Sequence, residues 1–189
     1  MSDIEKHFDK KYKLHKACAS LDEINRDSQK LIWFVNGYAI ASNGFIGVRA
    51  KLNDISTFDD EDIALMEGKC VSADTYRQLL GYKDIIVTKD GFVVRDDCRH
   101  NVYGFAPHEE RIKAFGLHTV FDKYNEMQQG DGIDTVAFDM ARLQELREAM
   151  GATQVILHIK QPDEVIYVQV TDPRNIDGII MPIRAEKMQ

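Results

Sequence analysis

Cys98, His100 and His108 are the residues of this sequence whose types could hold a zinc ion or form a thiol active site. Their spacing supports neither role. Cys98 and His100 are separated by a single residue, and no second pair of cysteines or histidines completes a set of four ligands. A nucleophilic cysteine also needs a base and an orienting group beside it, which the linear sequence does not bring together. We therefore expect no catalytic residue, no bound metal and no cofactor.

An acidic stretch over residues 53–67 is the other candidate metal site, because it contains six carboxylates. A calcium-binding loop requires carboxylates at fixed intervals, a glycine in the middle and a glutamate at the end. That spacing is absent here. We interpret the stretch as an exposed acidic loop or short helix.

Lysines are concentrated near the N-terminus, where residues 5–16 contain five lysines and two acidic residues. A helix over Asp9–Leu21 would place Lys13 and Lys16 on its outer side. Its buried stripe would be formed by Leu14, Ala17, Cys18 and Leu21. Two interpretations stay open: the solvated side of an ordinary surface helix, or a local positive surface.

The composition predicts a soluble, intracellular protein. The chain has 189 residues, 44% of them hydrophobic, and a formal net charge of −7. An acidic protein does not attract nucleic acid over its whole surface, so any DNA contact must rest on a local basic face. The three cysteines are odd in number and far apart, which favours free thiols. No apolar run is long enough to cross a bilayer, so we expect a cytoplasmic protein with no membrane partner.

Two stretches predict the same order of elements. Residues 69–107 predict a strand, a helix capped by Ser72, and three strands over 84–88, 92–95 and 101–106. The last third predicts a strand at Val136–Phe138 and a helix capped by Asp139, with an apolar stripe of Met140, Leu143, Leu146 and Met150. Strands over 155–160, 165–170 and 178–183 follow. The chain therefore contains a β-α-β-β-β repeat.

Residues 31–52 predict a meander of three strands, with turns at Asn36-Gly37 and Asn43-Gly44. Together with the N-terminal helix, this meander forms a third copy of the repeat. The predicted fold is α+β, with helices on one face of antiparallel sheets. We expect one domain of two units over residues 1–114 and a second domain, complete or reduced, over 115–189, with a linker at 108–132.

The C-terminal copy carries a family resemblance. Phe138-Asp139 precedes the leucine-containing helix Leu143–Leu146, Val155–Leu157 follows, and the last strand reads Ile179-Ile180-Met181-Pro182-Ile183-Arg184. With these residues the chain resembles the DNA sliding clamps, the ring-shaped processivity factors of DNA polymerases, in their bacterial and phage branch. An apolar pair followed by Met-Pro-apolar-Arg near the C-terminus is typical of that family. Its domains contain two units each, whereas this sequence has about three.

The resemblance implies a non-enzymatic protein with a DNA-binding surface. In the family, helices hold the backbone of duplex DNA through lysine and arginine side chains that contact phosphates. Such contacts do not read the DNA sequence. The corresponding candidates are Lys13, Lys16, Arg77, Lys83, Arg142 and Arg147. For Arg142 and Arg147, packing or a pair with Glu145 or Glu148 is an equal alternative.

The resemblance also implies a partner surface and self-association. An apolar pocket would bind a short peptide of a DNA polymerase or another replication or repair protein, and Met181, Pro182, Ile183 and Arg184 are its candidates. The alternative for these four residues is a buried edge strand ending in a proline. A homo-oligomer is expected for ring formation. The alternative function is a clamp-fold interaction or decoy module that binds a protein partner without DNA.

Overall fold

The computed structural model describes residues 5–20, 27–96, 99–106, 120–122, 137–160, 164–171 and 176–183. Within these residues the strands are β1 Leu31–Val35, β2 Tyr38–Ser42, β3 Ile46–Lys51, β4 Cys70–Ser72, β5 Ile85–Thr88, β6 Gly91–Asp96, β7 Arg99–Gly104, β8 Val155–His158, β9 Ile166–Val170 and β10 Ile176–Ile180. The α-helices are α1 Leu52–Ile55, α2 Asp60–Met66, α3 Ala73–Leu79 and α4 Met140–Ala149. Leu14–Ala17 and Asp27–Lys30 are 3-10 helices. The predicted α+β class is confirmed.

The strands form two antiparallel sheets. One has the strand order β4-β1-β2-β3-β10-β9-β8 and the other the order β5-β6-β7. The predicted meander of residues 31–52 is confirmed as β1 to β3. Its first turn has positive φ at both Asn36 (53°) and Gly37 (76°), as a type I′ turn requires. The turn residues therefore set the register of β1 against β2.

Three units follow one another along the chain, each a helical element followed by three strands. Unit 1 is the 3-10 helix Leu14–Ala17 with β1 to β3, unit 2 is β4, α3 and β5 to β7, and unit 3 is α4 with β8 to β10. Both predicted caps are confirmed. Ser72 accepts a hydrogen bond from the Thr75 backbone, and Asp139 accepts one from the Ala141 backbone.

Units 1 and 2 exchange their leading segments. The first strand of unit 2, β4, pairs with β1 of unit 1. In return, the segment that precedes unit 1 lies beside β5, where the Ile85 N–H donates to the Lys6 carbonyl at 2.7 Å. The Lys6 ammonium also contacts Asp59 at 2.6 Å and Asp62 at 2.7 Å. The exchange interlocks the two units.

Unit 3 joins unit 1 at a seam between their last strands. β10 pairs with β3 over five residues, from Ile176 opposite Ala50 to Ile180 opposite Ile46. The seam makes one continuous sheet from both meanders and β4. The division into domains 1–114 and 115–189 stays a prediction.

The helical elements of the three units lie on one side, where the 3-10 helix Leu14–Ala17 packs against both α3 and α4. We call the surface formed by these three elements the helical face. α4 rests on β10 where Leu146 and Met150 cover Gly178. A Cβ at Gly178 would lie 2.6 Å from the Met150 Sδ. Because that distance is too short for any side chain, only glycine lets α4 approach the sheet this closely.

The predicted N-terminal helix over Asp9–Leu21 is wrong in extent. Only Leu14–Ala17 is helical, as a 3-10 turn, and Leu21 lies outside the described residues. Before it, the Asp9 carboxylate accepts from the Lys11 N–H at 2.9 Å, and the Asp9 carbonyl accepts from the Tyr12 N–H at 3.1 Å. This local turn competes with helix formation, and it lets Tyr12 become buried.

The predicted unit 3 differs from the structure in three places. Ala137 and Phe138 belong to no strand, although the Ala137 carbonyl accepts from the Ile183 N–H at 2.7 Å. Met140 is 68% exposed, since six helical residues turn by about 240° and place it off the face of Leu146. The last strand ends at Ile180 rather than Ile183.

A second apolar cluster covers the opposite face of the large sheet at the seam. Ile40, Tyr167 and Ile179 pack there against Phe121, which is fully buried. Phe121 belongs to the predicted linker 108–132, most of which lies outside the described residues. The described part of the linker, residues 120–122, is therefore anchored on the sheet.

Candidate functional site

The candidate lysines of unit 1 are exposed because their neighbours are buried. In the 3-10 helix, Leu14 and Ala17 face the core with 0% exposure. The Lys16 N–H donates to the Lys13 carbonyl at 2.8 Å, which closes the turn. Lys13 and Lys16 therefore point outward on the same turn, as the sequence predicts.

The pKa of His15 is lowered by burial and by the positive charges of this region. Its imidazole is half-buried, and burial lowers its pKa to about 4, with Lys16, Arg77 and Lys13 adding to the decrease. The imidazole Nδ1 is buried and has no hydrogen-bond partner among the described residues. The histidine is therefore neutral at pH 7. Its surroundings bring together cations from unit 1 and from α3 of unit 2.

Acidic side chains offset part of this charge. Lys16 lies 3.8 Å from Glu148, and Arg77 pairs with Asp74 at 2.6 Å. A hydrogen bond from Gln144 lowers the pKa of Glu148, and nearby Lys16, Lys13 and Arg147 lower it further. The 3-10 helix Leu14–Ala17 packs against α3, which carries Arg77, and against α4, which carries Arg147. Four predicted DNA-binding residues thus lie on three adjacent helical elements of the helical face: Lys13, Lys16, Arg77 and Arg147.

Two predicted DNA-binding residues stand apart from this group. Lys83 is exposed in the segment between α3 and β5. Arg142 is half-buried, pairs with Glu145 at 3.2 Å, and lies over the ring of Phe45 at 4.9 Å from its centre. Arg142 therefore belongs structurally with the β2–β3 turn that carries Phe45.

The predicted partner residues lie next to that turn. The Met181 N–H donates to the Phe45 carbonyl at 2.8 Å. Phe45, Met181 and Ile183 are 54%, 42% and 50% exposed. Pro182 is half-buried, and Arg184 lies outside the described residues. We call Phe45, Arg142, Met181 and Ile183 the apolar corner.

Sequence reasoning missed Phe45. The signal was a large aromatic residue directly after the Asn43-Gly44 turn, where a solvent-exposed position ordinarily carries a polar side chain. The Asn43 side chain accepts from the N–H groups of both Phe45 and Ile46 at 3.0 Å. The turn therefore holds Phe45 at the surface.

The described residues do not meet the requirements of a metal site or of a reactive cysteine. No group of three His, Cys, Asp or Glu side chains in them could hold a metal ion. Burial raises the pKa of Cys18 to about 12 and that of Cys70 to about 11, so both thiols stay protonated at neutral pH. His100 is exposed on β7, whereas Cys98 and His108 lie outside the described residues. No helix of the described chain is long and apolar enough to span a membrane.

Comparison with known proteins bears on the fold. No protein-family model matches the sequence, and no curated protein matches it. Among solved structures, the beta subunit of DNA polymerase III from Thermotoga maritima matches 96% of this chain and 65% of its own length, with a TM-score of 0.57 and 12% identity. The sliding clamp from Bacillus subtilis matches 95% of this chain and 64% of its own, with a TM-score of 0.58 and 8% identity.

The chain has the sliding-clamp fold. A third structure of this fold is the Helicobacter pylori beta clamp bound to a DNA ligase peptide. It matches over 97% of this chain and 67% of its own, with a TM-score of 0.54 and 10% identity. The clamp-fold chain described here spans about two thirds of the length of these proteins.

Proposed function

We propose that this clamp-fold chain is a non-enzymatic tethering protein. Its helical face contacts the backbone of duplex DNA, and its apolar corner binds a short peptide of a DNA polymerase or another replication or repair protein. The observation that carries the proposal is that Lys13, Lys16, Arg77 and Arg147 lie on three helical elements that pack against one another, in a chain of net charge −7. A local basic region on an acidic protein is what selective phosphate contact requires.

The experiment for DNA binding is retention on duplex DNA at increasing salt. Reversing the charges with Lys13→Glu and Lys16→Glu should weaken binding and reduce the slope of log affinity against log salt by about 1 for each phosphate that the protein no longer neutralises. Lys51→Glu with Lys89→Glu is the matched control. It changes the net charge equally, and both lysines are exposed at strand ends instead of on the helices. Equally weakened binding in both double variants would refute the assignment to the helical face.

The experiment for peptide binding uses the apolar corner. Its four residues combine exposed apolar surface with a guanidinium, a composition common at the energetic centres of interfaces. Phe45→Ala and Met181→Ala should each weaken the binding of a clamp-binding ligase peptide by about 30-fold, or about 2 kcal/mol. Ile156→Ala is the control, because Ile156 is 46% exposed on β8, outside the apolar corner. Unchanged affinity in Phe45→Ala and Met181→Ala would refute the site.

One observation favours the second candidate, an interaction or decoy module that binds a protein partner without DNA. Asp74 pairs with Arg77, and Glu148 lies 3.8 Å from Lys16, so two of the four basic residues of the helical face have an acidic neighbour. These acids reduce its attraction for phosphate. Peptide binding at the apolar corner, with no DNA retention even at low salt, would select this module.

A further inference from the structure

A socket at the seam between units 1 and 3 holds two side chains of the linker, Phe121 and Asp122. Phe121 is fully buried, although it belongs to neither sheet. It packs against Ile40 of β2, Tyr167 of β9 and Ile179 of β10. β3 connects β2 with β10, and β10 pairs with β9, so the sheet alone builds the apolar wall of the socket.

Arg49 of β3, only 3% exposed, forms the charged end of the socket. Its guanidinium carbon lies 5.1 Å from the centre of the Phe121 ring, and its Nη1 contacts the Asp122 carboxylate at 2.5 Å. From within the sheet, Asp177 contacts Nη2 at 3.0 Å. The arginine therefore has one carboxylate partner in the sheet and one in the linker. We call Ile40, Arg49, Tyr167 and Ile179 the linker socket.

The linker carboxylate is the replaceable partner of this arginine. The Asp122 side chain is 53% exposed, so water competes for its charge, whereas the Asp177 side chain is 16% exposed. The Arg49 Nε is buried and has no hydrogen-bond partner among the described residues. A buried donor without a partner costs free energy that a further acceptor would recover. An incoming carboxylate can therefore take the place of Asp122 while Asp177 keeps the guanidinium in position.

The two side chains in the socket show which ligand fits it: an aromatic ring followed directly by a carboxylate. The ring of Phe121 lies in the apolar wall, and the carboxylate of Asp122 lies on the guanidinium. An aromatic anchor in a desolvated pocket beside an arginine is a common energetic centre of protein interfaces. The guanidinium also favours an acidic ligand over a basic one. A peptide with this pair of residues therefore matches the socket in shape and in charge.

We propose that the linker socket docks a peptide of a partner protein that carries an aromatic residue followed by aspartate or glutamate, and that Phe121 and Asp122 cover it in the free chain. The peptide and the linker exclude each other, so docking detaches residues 120–122 from the sheet. The socket lies on the face of the large sheet opposite the helical face, because Ile179 alternates with Gly178, which meets α4. It contains no residue of the apolar corner. The docking therefore goes beyond the proposed function and does not depend on it.

Titration of the ¹⁵N-labelled chain with a peptide, followed by NMR, tests the docking. The peptide is Thr-Val-Phe-Asp-Lys, the sequence of residues 119–123. The double variant Phe121→Ala with Asp122→Asn empties the socket. It should bind the peptide at least about 10-fold more tightly than the wild type, in which the tethered linker competes at a high effective concentration. Equal affinities, or no shift of the Ile40 and Ile179 signals in the folded double variant, overturn the proposal.

A variant that keeps the aromatic anchor covers the case in which the double variant does not fold. Asp122→Asn alone removes an exposed ion pair and should bind the peptide about 5-fold more tightly than the wild type. Asp60→Asn is the matched control, because Asp60 is exposed on α2, outside the linker socket. Circular dichroism and urea denaturation check that each variant is folded. The same peptide affinity in Asp122→Asn and Asp60→Asn overturns the proposal.

Matched peptides test the chemistry of the ligand on one and the same protein. With alanine in place of phenylalanine the peptide should bind at least about 30-fold more weakly, and with asparagine in place of aspartate about 5-fold more weakly. Tyr-Glu in place of Phe-Asp should preserve binding, because a partner need not share the sequence of this chain. Binding of the chain's own sequence alone would reduce the socket to an anchor of the linker and overturn the proposal.

Discussion

Arg49 and Asp177 face each other directly across the seam, Arg49 in β3 and Asp177 in β10, and their side chains form an ion pair at 3.0 Å. Arg49 is only 3% exposed. Its second nitrogen contacts Asp122 at 2.5 Å, and its guanidinium lies between the rings of Tyr38 and Phe121. The Tyr167 hydroxyl donates to Asp177. This network ties unit 1, unit 3 and the described part of the linker together at a single arginine.

Replacing one member of this network should loosen the seam. Asp177→Asn leaves the buried guanidinium with half of its charge pairing, so we expect a loss of about 3 kcal/mol in the free energy of unfolding. Asp122→Asn should cost under about 1 kcal/mol, because the Asp122 side chain is 53% exposed and its charge is screened by water. Urea denaturation of both variants measures the difference. Equal losses would contradict a buried seam pair.

His15 should make the stability depend on pH. Its pKa falls from 6.5 to about 4 in the folded chain. As pH decreases through this range, the unfolded chain therefore binds more protons at this position than the folded chain does. The contribution of His15 leaves the free energy of unfolding unchanged above pH 6.5 and lowers it progressively between pH 6.5 and pH 4. Because the imidazole is partly exposed, solvent screening reduces the effect.

His15→Gln should remove this component, since glutamine does not titrate. The measurement is the unfolding free energy of both proteins at several pH values between 7 and 5, a window that lies above most carboxylate titrations. The difference between wild type and variant should shrink or reverse as pH falls. A constant difference over that window would show that His15 is protonated equally in both states.

Much of the fold could be predicted from the sequence, because local chemistry determines it. The turn at Asn36-Gly37 and the caps Ser72 and Asp139 depend on residues within four positions of each other. Failures occurred where distant contacts decided the outcome. The N-terminal helix shrinks to one turn because distant burial adds to the local turn at Asp9: Tyr12 and Phe8 are buried, and Phe8 packs beside Phe34 and Phe92.

The candidate site could be predicted only in part for the same reason. Lys13 and Lys16 follow from spacing within one turn. The positions of Arg142 over Phe45 and of Met181 beside the Phe45 carbonyl depend on the seam, which aligns residues more than a hundred positions apart. The hydrophobic periodicity of the sequence does not predict the register of β3 against β10.

The turn between β1 and β2 offers a test of backbone conformation alone. A Cβ at Gly37 would meet no atom within 4 Å, so a side chain there has space. Its φ of 76° still strains any L-residue, and Gly37→Ala should therefore lower the unfolding free energy by about 1 kcal/mol. Asn36→Gly is the control and should be nearly neutral, since glycine accepts the φ of 53°. A neutral Gly37→Ala would mean that the turn relaxes to another type.

The contact between Gly178 and Met150 tests how α4 is seated on the large sheet. In Gly178→Ala the new methyl group would lie 2.6 Å from the Met150 Sδ and 3.1 Å from a Leu146 methyl carbon. We expect a loss of about 1–3 kcal/mol, the usual cost of overpacking a core. Met150→Ala alone should also destabilise the chain, by about 2 kcal/mol or more, because it opens a cavity at a buried position. In the double variant the new methyl group partly fills that cavity. The loss in the double variant should therefore be smaller than the sum of the two single losses by more than about 0.5 kcal/mol. Strict additivity in urea denaturation would mean that α4 does not rest on Gly178, and the placement of Lys16 beside Glu148 at the end of that helix would have to be revised with it.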